Sequence, residues 1–561
     1  MYSIDRHTTS AVISSSLPVR VLSSSLILRR TRSGFYDGFP RLNLPTRNSI
    51  RGRGQLPTSV PTESEIRHFD QRLLEGLNKQ QRTAVTAAFD RHCLVLAGAG
   101  CGKTASLIRR IAWCIHYHYS PSTILALTFT RKAAEEMAER LRGLLGTGPE
   151  VVLPLVTTFH GFGLRVLRES IDGVANAGRL GYGEAEPSLL SSAERLEMLT
   201  RLTDDRERRA IGGGLLELER MLASLAVHPA RLSHLGEQRL AILRRIQNRL
   251  AAEKRRCNRW EFSDMIQLCL ELLRRWDDVR YRYACRYRYI LVDEFQDTNP
   301  LQVSLLRELL SEGARVFAVG DDDQAIYGFR GADIGPILNF REHFRGASVL
   351  KLETNYRSTP SILRAANKIF RDKPQHLRKQ LRAGKSGSGR RERGPRPRIR
   401  IFRDQDSMFE WIAETADSIS TREKIEVAEM AVLFRLNETK EWFRRQLESV
   451  QDDHASLPRL MTVHGSKGLE FSVVFLCDLE EGVWPGSRRR KPARIRTWWD
   501  VVQRVISNSQ PESDADLEEE RRLFYVGVTR AVRRLFLLSA RKKCLAGRTR
   551  RFEPSRFLRL V

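Results

Sequence analysis

The sequence predicts an α/β fold of two parallel-sheet P-loop domains, the first interrupted by a helical insertion. Three observations carry this. Short apolar runs alternate with charged, helix-periodic stretches along most of the chain, the pattern of parallel strands covered by helices. One such run, Cys93–Leu96, opens into the Gly-rich stretch Ala97–Thr104 and a helix from about Lys103. Residues 166–256 break the alternation, being helical, rich in Leu and Arg, and without a strand of comparable quality.

Taken in order, the next expected strands are Ile124–Thr128 and Val151–Thr157, with a charged helix over Arg131–Leu145 between them. Beyond the insertion come Tyr289–Val292 and Arg315–Val319. A second series follows at Ser348–Leu352, Arg398–Phe402, Met430–Phe434, Ser472–Leu476 and Arg534–Ser539, with Lys385–Pro397, rich in Gly, Arg and Pro, as a loop. The domains are drawn accordingly: a first α/β domain over 71–165 and 257–347, the helical insertion over 166–256, and a second α/β domain over 348–561. A chain of 561 residues has room for three or four units of about 150 residues.

The formal charge is +28 and the isoelectric point near 10.3, which favours a polyanionic partner, nucleic acid ahead of a membrane surface. Residues 1–60 contribute nine Arg against two Asp, so most of the surplus belongs to the rest of the chain. Rich in Ser and Arg and poor in acids, residues 1–70 read as a disordered basic arm; an organelle-type leader shares that composition. No run of about 18 apolar residues suggests a membrane helix. The eight cysteines are scattered without a CxxC pair, against zinc or iron–sulfur spacing and in keeping with a reduced, cytoplasmic setting.

Ala97-Gly98-Ala99-Gly100-Cys101-Gly102-Lys103-Thr104 lies between a strand and a helix, the context a phosphate loop requires. The glycines let backbone N–H groups turn towards phosphate oxygens, and the helix adds its positive end. Lys103 can reach the β- and γ-phosphates of ATP and Thr104 can hold Mg²⁺. Ala97 stands where the general pattern has Gly. Further on, the strand Tyr289–Val292 ends in Asp293-Glu294. Two acids after a strand are usually a solvated turn; with a phosphate loop upstream, Asp293 becomes a Mg²⁺ ligand and Glu294 the base that takes a proton from attacking water. Arg357 in Asn-Tyr-Arg-Ser and Arg530 in Val-Thr-Arg-Ala are candidates for the positive charge the transition state needs. Both lie in the second α/β domain, so hydrolysis would depend on closure of a cleft.

Together these residues resemble the UvrD/Rep/PcrA family of superfamily 1 helicases, from about Leu74 to the C-terminus. Leu77–Gln81 is similar to the Q motif, Ala126–Arg140 to motif Ia, and Thr158-Phe159-His160 to the next DNA-facing motif. Val319–Ala332 resembles motif III, Asn355–Ser358 motif IV, Thr462–Phe471 motif V and Glu519–Ala531 motif VI. The order of the set, more than any one motif, makes the likeness specific.

The resemblance implies two RecA-like domains and a 3′→5′ ATP-dependent DNA helicase acting on single-stranded DNA and single–double-strand junctions in a bacterial-type, nucleoid-associated setting. It implies that Gln81 reads adenine, that Gln324 senses the γ-phosphate and couples it to DNA, that Tyr356 stacks on adenine and that Glu470 meets the sugar. Arg357 and Arg530 would be arginine fingers. Phe129, Tyr327 and Phe329 would stack with bases, and Thr130, His160, Arg330 and His464 would line the strand. Aromatic faces accept any base, at about 1–3 kcal/mol each, so they permit stepping without sequence preference. Core packing is the competing explanation for Phe129 and Phe329.

Arg131 replaces a common Asn and Phe329 a common Trp. The larger departure lies between Leu436 and Leu460, where family members commonly insert a second accessory (2B) domain; here a short connection, 437–459, is expected. The chain ends soon after the second series, leaving no expected nuclease domain. Two alternatives follow: a translocase that strips proteins from DNA without robust unwinding, and an ATP-gated DNA-binding module.

Overall fold

The computed structural model describes residues 70–561 except 118, 147–150, 172–173, 184–186, 213, 228–231, 233–234, 329–330, 375–376, 385–391, 451–457, 487–513 and 546. The basic arm, but for Asp70, and the expected DNA contacts Phe329 and Arg330 lie outside the described residues.

Six strands form the first sheet: β1 (Cys93–Ala97), β2 (Ile124–Thr128), β3 (Leu155–Thr158), β4 (Tyr289–Val292), β5 (Arg315–Gly320) and β6 (Ser348–Leu352). They pair in the order β6-β1-β5-β4-β2-β3, all parallel. β1, β2 and β4 are buried throughout because helices cover both faces, which is why they read as unbroken apolar runs. Successive side chains still alternate: Leu94, Leu96, Leu125 and Leu127 enter one core, Val95, Ala126 and Leu291 the other. The connecting helices include α1 (Lys79–Val85), α2 (Lys103–Tyr117), α3 (Arg131–Leu145) and α4 (Phe159–Arg168).

Two expectations are corrected here. Ser348–Leu352, read as the opening strand of the second domain, pairs with β1 from Cys93↔Ser348 to Ala97↔Leu352, so the first sheet extends past residue 347. Composition cannot distinguish strands of two parallel sheets, and only pairing places them. β3 begins at Leu155 and not at Val151; Pro154 has no N–H to offer the ladder.

The insertion contains α5 (Ser192–Leu202), α6 (Asp205–Ile211), α7 (Leu215–Val227) and α8 (Glu237–Arg256), closed around Leu199, Leu218, Leu222, Leu243 and Ile246. Val166, Leu167, Ile171 and Leu180, expected within it, pack in the core of the first sheet instead. Ser188–Leu189 pairs with Arg259–Trp260 at its base.

The second sheet, β7 (Arg398–Phe402), β8 (Met430–Phe434), β9 (Arg459–Thr462), β10 (Phe471–Leu476) and β11 (Ala531–Ala540), runs β7-β11-β10-β8-β9, again all parallel. Helix α9 (Pro360–Ile369) and, beyond the connection, α11 (Asp514–Val528) pack together on it, and α10 (Asn437–Val450) lies between them in sequence. The described ends of the connection 437–459 belong to the domain: α10 buries Phe443 against Phe434, ring centroids 4.8 Å apart, and Arg459 opens β9. β9 was not expected, because Arg459–Thr462 is too short and too polar to stand out. Among the described residues no helix is long and apolar enough to cross a membrane.

One buried cation braces the first domain. Arg110 of α2 is 0 % exposed and donates to the carbonyls of Val85 at 2.8 Å and Ala87 at 2.6 Å and to the Tyr289 hydroxyl at 2.6 Å, with its guanidinium 4.2 Å from the Phe89 ring centroid. It thus ties the C-terminal end of α1, which carries Gln81, to the sheet. Arg110→Leu strands these oxygens without donors and is expected to lower stability by at least about 3 kcal/mol in urea unfolding; a loss under about 1 kcal/mol would show that the carbonyls find other partners.

Candidate nucleotide site and single-strand face

Parallel strands direct the loops that follow them to one edge of the sheet, and the loops after β1, β4 and β5 meet there. Between β1 and α2 the chain turns through Gly100 (φ 65°) and Gly102 (φ 78°), left-handed values that favour glycine. Space demands glycine as well: a Cβ at Gly102 would lie 2.6 Å from Gln81 Nε2, and one at Gly100 2.7 Å from Arg357 Cβ. Gln81 is buried and tied to the loop. Its Nε2 donates to the Cys101 carbonyl at 3.0 Å, and its Oε1 accepts from the Asn78 N–H in a capping box at the start of α1. Ala97 and Ala99 are buried, as is Cys101, whose thiol burial pushes up to about 12, so it stays protonated. Tyr356 is 40 % exposed with its hydroxyl accepting from Asn78 Nδ2 at 2.7 Å, leaving a ring at the rim beside Gln81.

Lys103 opens α2 with Thr104 next to it. The Lys103 ammonium lies 3.6 Å from Glu294 Oε2. Burial disfavours its charge, but Glu294, Asp321 and Asp293 outweigh that and hold its proton more firmly. Asp293 follows β4 and is 6 % exposed; burial, then the neighbouring Glu294, raise its proton affinity. For Glu294 burial acts the same way, but Lys103 and Lys467 prevail and keep it ionised. Its backbone is left-handed (φ 49°), and Gln296 Nε2 donates to Oε2 at 2.6 Å, fixing the carboxylate. The pair is thus split by its surroundings, one carboxylate held charged and the other prone to take a proton or a cation.

Both arginines reach this cleft from the second half of the chain. Arg357 Nε donates to Glu470 Oε2 at 2.6 Å, and Glu470 is otherwise largely exposed. Arg530 is 1 % exposed and donates to the carbonyls of Val526 and Leu469 at 3.0 Å, and to Gln324 Oε1 and Thr529 Oγ1 at 3.3 Å. Burial and then the field of Arg357 destabilise its charge. Gln324 ends the short turn Asp322–Gln324 after β5 and donates from Nε2 to Asp321 Oδ2 at 2.5 Å. Expected residues from both halves therefore share one cleft.

Two residues here escaped the sequence reading. Asn355 Nδ2 donates to the Ala99 carbonyl at 2.6 Å while its Oδ1 accepts from the N–H groups of Arg357 and Ser358, locking that turn onto the phosphate loop. Lys467 donates to both Asp297 oxygens, at 2.8 and 2.6 Å, and to the Gln324 carbonyl at 2.9 Å, and its ammonium stands 4.7 Å from the Tyr327 ring centroid. Each lay inside a quoted motif, but the contact that places it, Ala99 for Asn355 and Asp297 and Gln324 for Lys467, comes from another.

On the adjoining face Phe129 and Tyr327 stack on each other, centroids 5.3 Å apart and planes 11° from parallel, both half-buried. The Thr130 hydroxyl accepts from the Ala133 N–H as the N-cap of α3, so the structure occupies it locally. His464 lies in the turn His464–Ser466 after β9. His160, in the first turn of α4, stacks on Phe262, with centroids 4.2 Å apart. Phe262, at 61 % exposure a large surface aromatic, was also missed, since no motif was quoted around it.

Burial pushes the His160 imidazole down to about 4, so it is neutral at pH 7. With the folded value below the unfolded one, the neutral ring adds stability above about pH 6.5 that is lost as the pH falls towards 4. Phe262→Ala uncovers the ring, and an NMR titration should show His160 rising by about one unit or more; an unchanged value would mean that Phe262 is not what shields it.

The chain matches the UvrD/REP helicase N-terminal domain over residues 77–345 and the UvrD-like helicase C-terminal domain over residues 350–458 and 449–542. It is 32 % identical to the ATP-dependent DNA helicase PcrA of Bacillus subtilis over 383 residues, 66 % of this chain and 49 % of that protein. A probable DNA helicase of Mycoplasma pneumoniae is 29 % identical over 510 residues, 87 % of each chain. DNA helicase II of Escherichia coli is 37 % identical over 322 residues, 55 % of this chain and 42 % of that one. The aligned part thus spans about half the length of the Bacillus relative. With its two halves matching, in order, the N- and C-terminal domains of one family, the chain belongs to the UvrD/Rep helicases.

Proposed function

We propose that this protein is an ATP-driven motor that moves along single-stranded DNA in the 3′→5′ direction and separates strands at single–double-strand junctions, in a nucleoid-associated cytoplasmic setting. The observation that carries the proposal is the meeting of Lys103 with Arg357 and Arg530, three cations from the two halves of the chain, around one phosphate loop. ATP is the substrate that matches this charge. The backbone of Gly98–Gly102 and Lys103 cradle its phosphates, Gln81 and Tyr356 bound the adenine, and Glu470 meets the sugar. Glu294, held ionised, accepts the proton of the attacking water, and Arg357 and Arg530 stabilise the charge spreading over the transferred phosphoryl group.

Hard oxygen donors suit Mg²⁺, and Thr104 and Asp293 supply them; Asp293, whose charge burial disfavours, is a carboxylate that a divalent cation would stabilise. The ion, when bound, polarises the phosphate oxygens. Because both arginines belong to the second half, hydrolysis requires a closed cleft, and product release reopens it. Gln324 transmits the change. Its amide meets Arg530, and three residues on Tyr327 stacks with Phe129 on the face assigned to DNA bases. Arg357, bonded to Glu470 here, exchanges that partner for phosphate as the substrate enters.

The compact connection favours a second reading, translocation that displaces proteins without robust unwinding. α10 packs within the second domain and residue 459 already belongs to β9, which supports the expectation that no large 2B accessory domain is inserted between 437 and 459.

Lys103→Ala should abolish ATP turnover stimulated by single-stranded DNA; near-normal turnover would reject the assigned site. A strand-displacement assay beside a streptavidin-displacement assay separates the readings: release of streptavidin with duplex left intact selects the translocase, and release in both selects the helicase.

A further inference from the structure

We propose that Lys379 is a positioning residue for the nucleotide chemistry: it fixes the Asp321 carboxylate, which holds the Gln324 amide with its carbonyl oxygen towards Arg530. The inference rests on the role given to Gln324 above. Lys379 lies in an irregular stretch between α9 and the short strand Arg382–Ala383, and no motif quoted from the sequence includes it.

The Lys379 side chain is 1 % exposed, and its ammonium meets three consecutive carboxylates, Asp321 at 3.0 Å, Asp323 at 2.8 Å and Asp322. Lys373 bonds Asp322 and Asp323 from the same stretch. Three buried carboxylates and two ammonium groups leave one net negative charge, so the acids are already engaged by lysines.

The two oxygens of Asp321 are divided between tasks. Oδ1 takes Lys379 and, at 3.3 Å, the Asp323 N–H, while Oδ2 takes Gln324 Nε2 at 2.5 Å. An ionised carboxylate only accepts. As long as Asp321 is charged, Gln324 must turn its NH₂ towards it, which leaves Oε1 for the guanidinium of Arg530 at 3.3 Å. Without Lys379, Asp321 Oδ1 keeps only the Asp323 N–H at 3.3 Å, so the carboxylate is free to rotate away from Gln324 and the amide to flip, which would turn its NH₂ towards Arg530, donor against donor. Two residues on, Leu381 packs against Gly98, so the same stretch also touches the phosphate loop.

A purely scaffolding role is the competing explanation, and charge balance separates the two. Lys379→Met leaves a net charge of −2 in the cluster. Adding Asp322→Asn restores −1 at an acid that does not touch Gln324, while the Lys379–Asp321 bond stays absent. The measurement is ATP turnover stimulated by single-stranded DNA, with kcat and KM determined separately, on the wild type, Lys379→Met and Lys379→Met/Asp322→Asn, together with thermal unfolding of each. The expected result is a double variant that unfolds within a few degrees of the wild type, with KM for ATP changed by less than about twofold and kcat lower by at least about tenfold. A double variant that regains kcat along with its fold overturns the proposal, and so does one that fails to fold, which assigns Lys379 to the scaffold. Absence of turnover in the wild type would reject the motor reading, and this inference with it.

Discussion

The guanidinium of Arg530 is buried with uncharged oxygens as its hydrogen-bond partners, in the field of a second guanidinium, Arg357, and across from Lys103. A buried charge costs several kcal/mol unless something compensates it. Here compensation is divided among Glu294, which steadies Lys103, and Glu470, which holds Arg357. Arg530 itself lies in the fields of Glu294 and Asp321, which favour its charge. Loops of the two parallel sheets meet in this cleft, and glycines at 100 and 102 let Arg357 and Gln81 approach the phosphate loop closely.

The turn after β5 links this cleft to the aromatic face. Gln296 of the first half accepts from the Asp321 N–H at 2.8 Å, and residues of the second half grip the turn at several further points. Lys467 holds the Gln324 carbonyl, Arg522 Nε donates to the Ala325 carbonyl at 2.9 Å, and Glu519 accepts from the Gly328 N–H at 3.1 Å. Lys373 and Lys379 secure the acids at its start. A turn that belongs to one sheet is thus bonded to both halves of the chain. Gln324, which meets Arg530, and Tyr327, which stacks on Phe129, stand three residues apart in this segment.

Much of this was legible in the chain because the chemistry is local in sequence. Lys103 and Thr104 follow a strand and open a helix, Asp293 and Glu294 end a strand, and turn residues accompany both. What escaped notice depends on partners far along the chain. Asn355 is polar and unremarkable until it bonds Ala99; Lys379 is one basic residue among many until three carboxylates surround it; Phe262 gains meaning when His160 lies beneath it. Thr130 shows the opposite case, a residue in a quoted motif whose hydroxyl is used by its own helix.

By itself the sequence determined the α/β class, the phosphate loop, the acid pair and the family, since strand burial, helix periodicity and glycine placement are written in short windows of residues. Tertiary structure alone decided that Ser348–Leu352 completes the first sheet, that the early part of the expected insertion belongs to the first core, and that the segment around Lys379 reaches Asp321. Strand pairing and buried ion pairs join residues tens to hundreds of positions apart, and their free energy depends on exclusion from water, a property that exists only once the chain has packed.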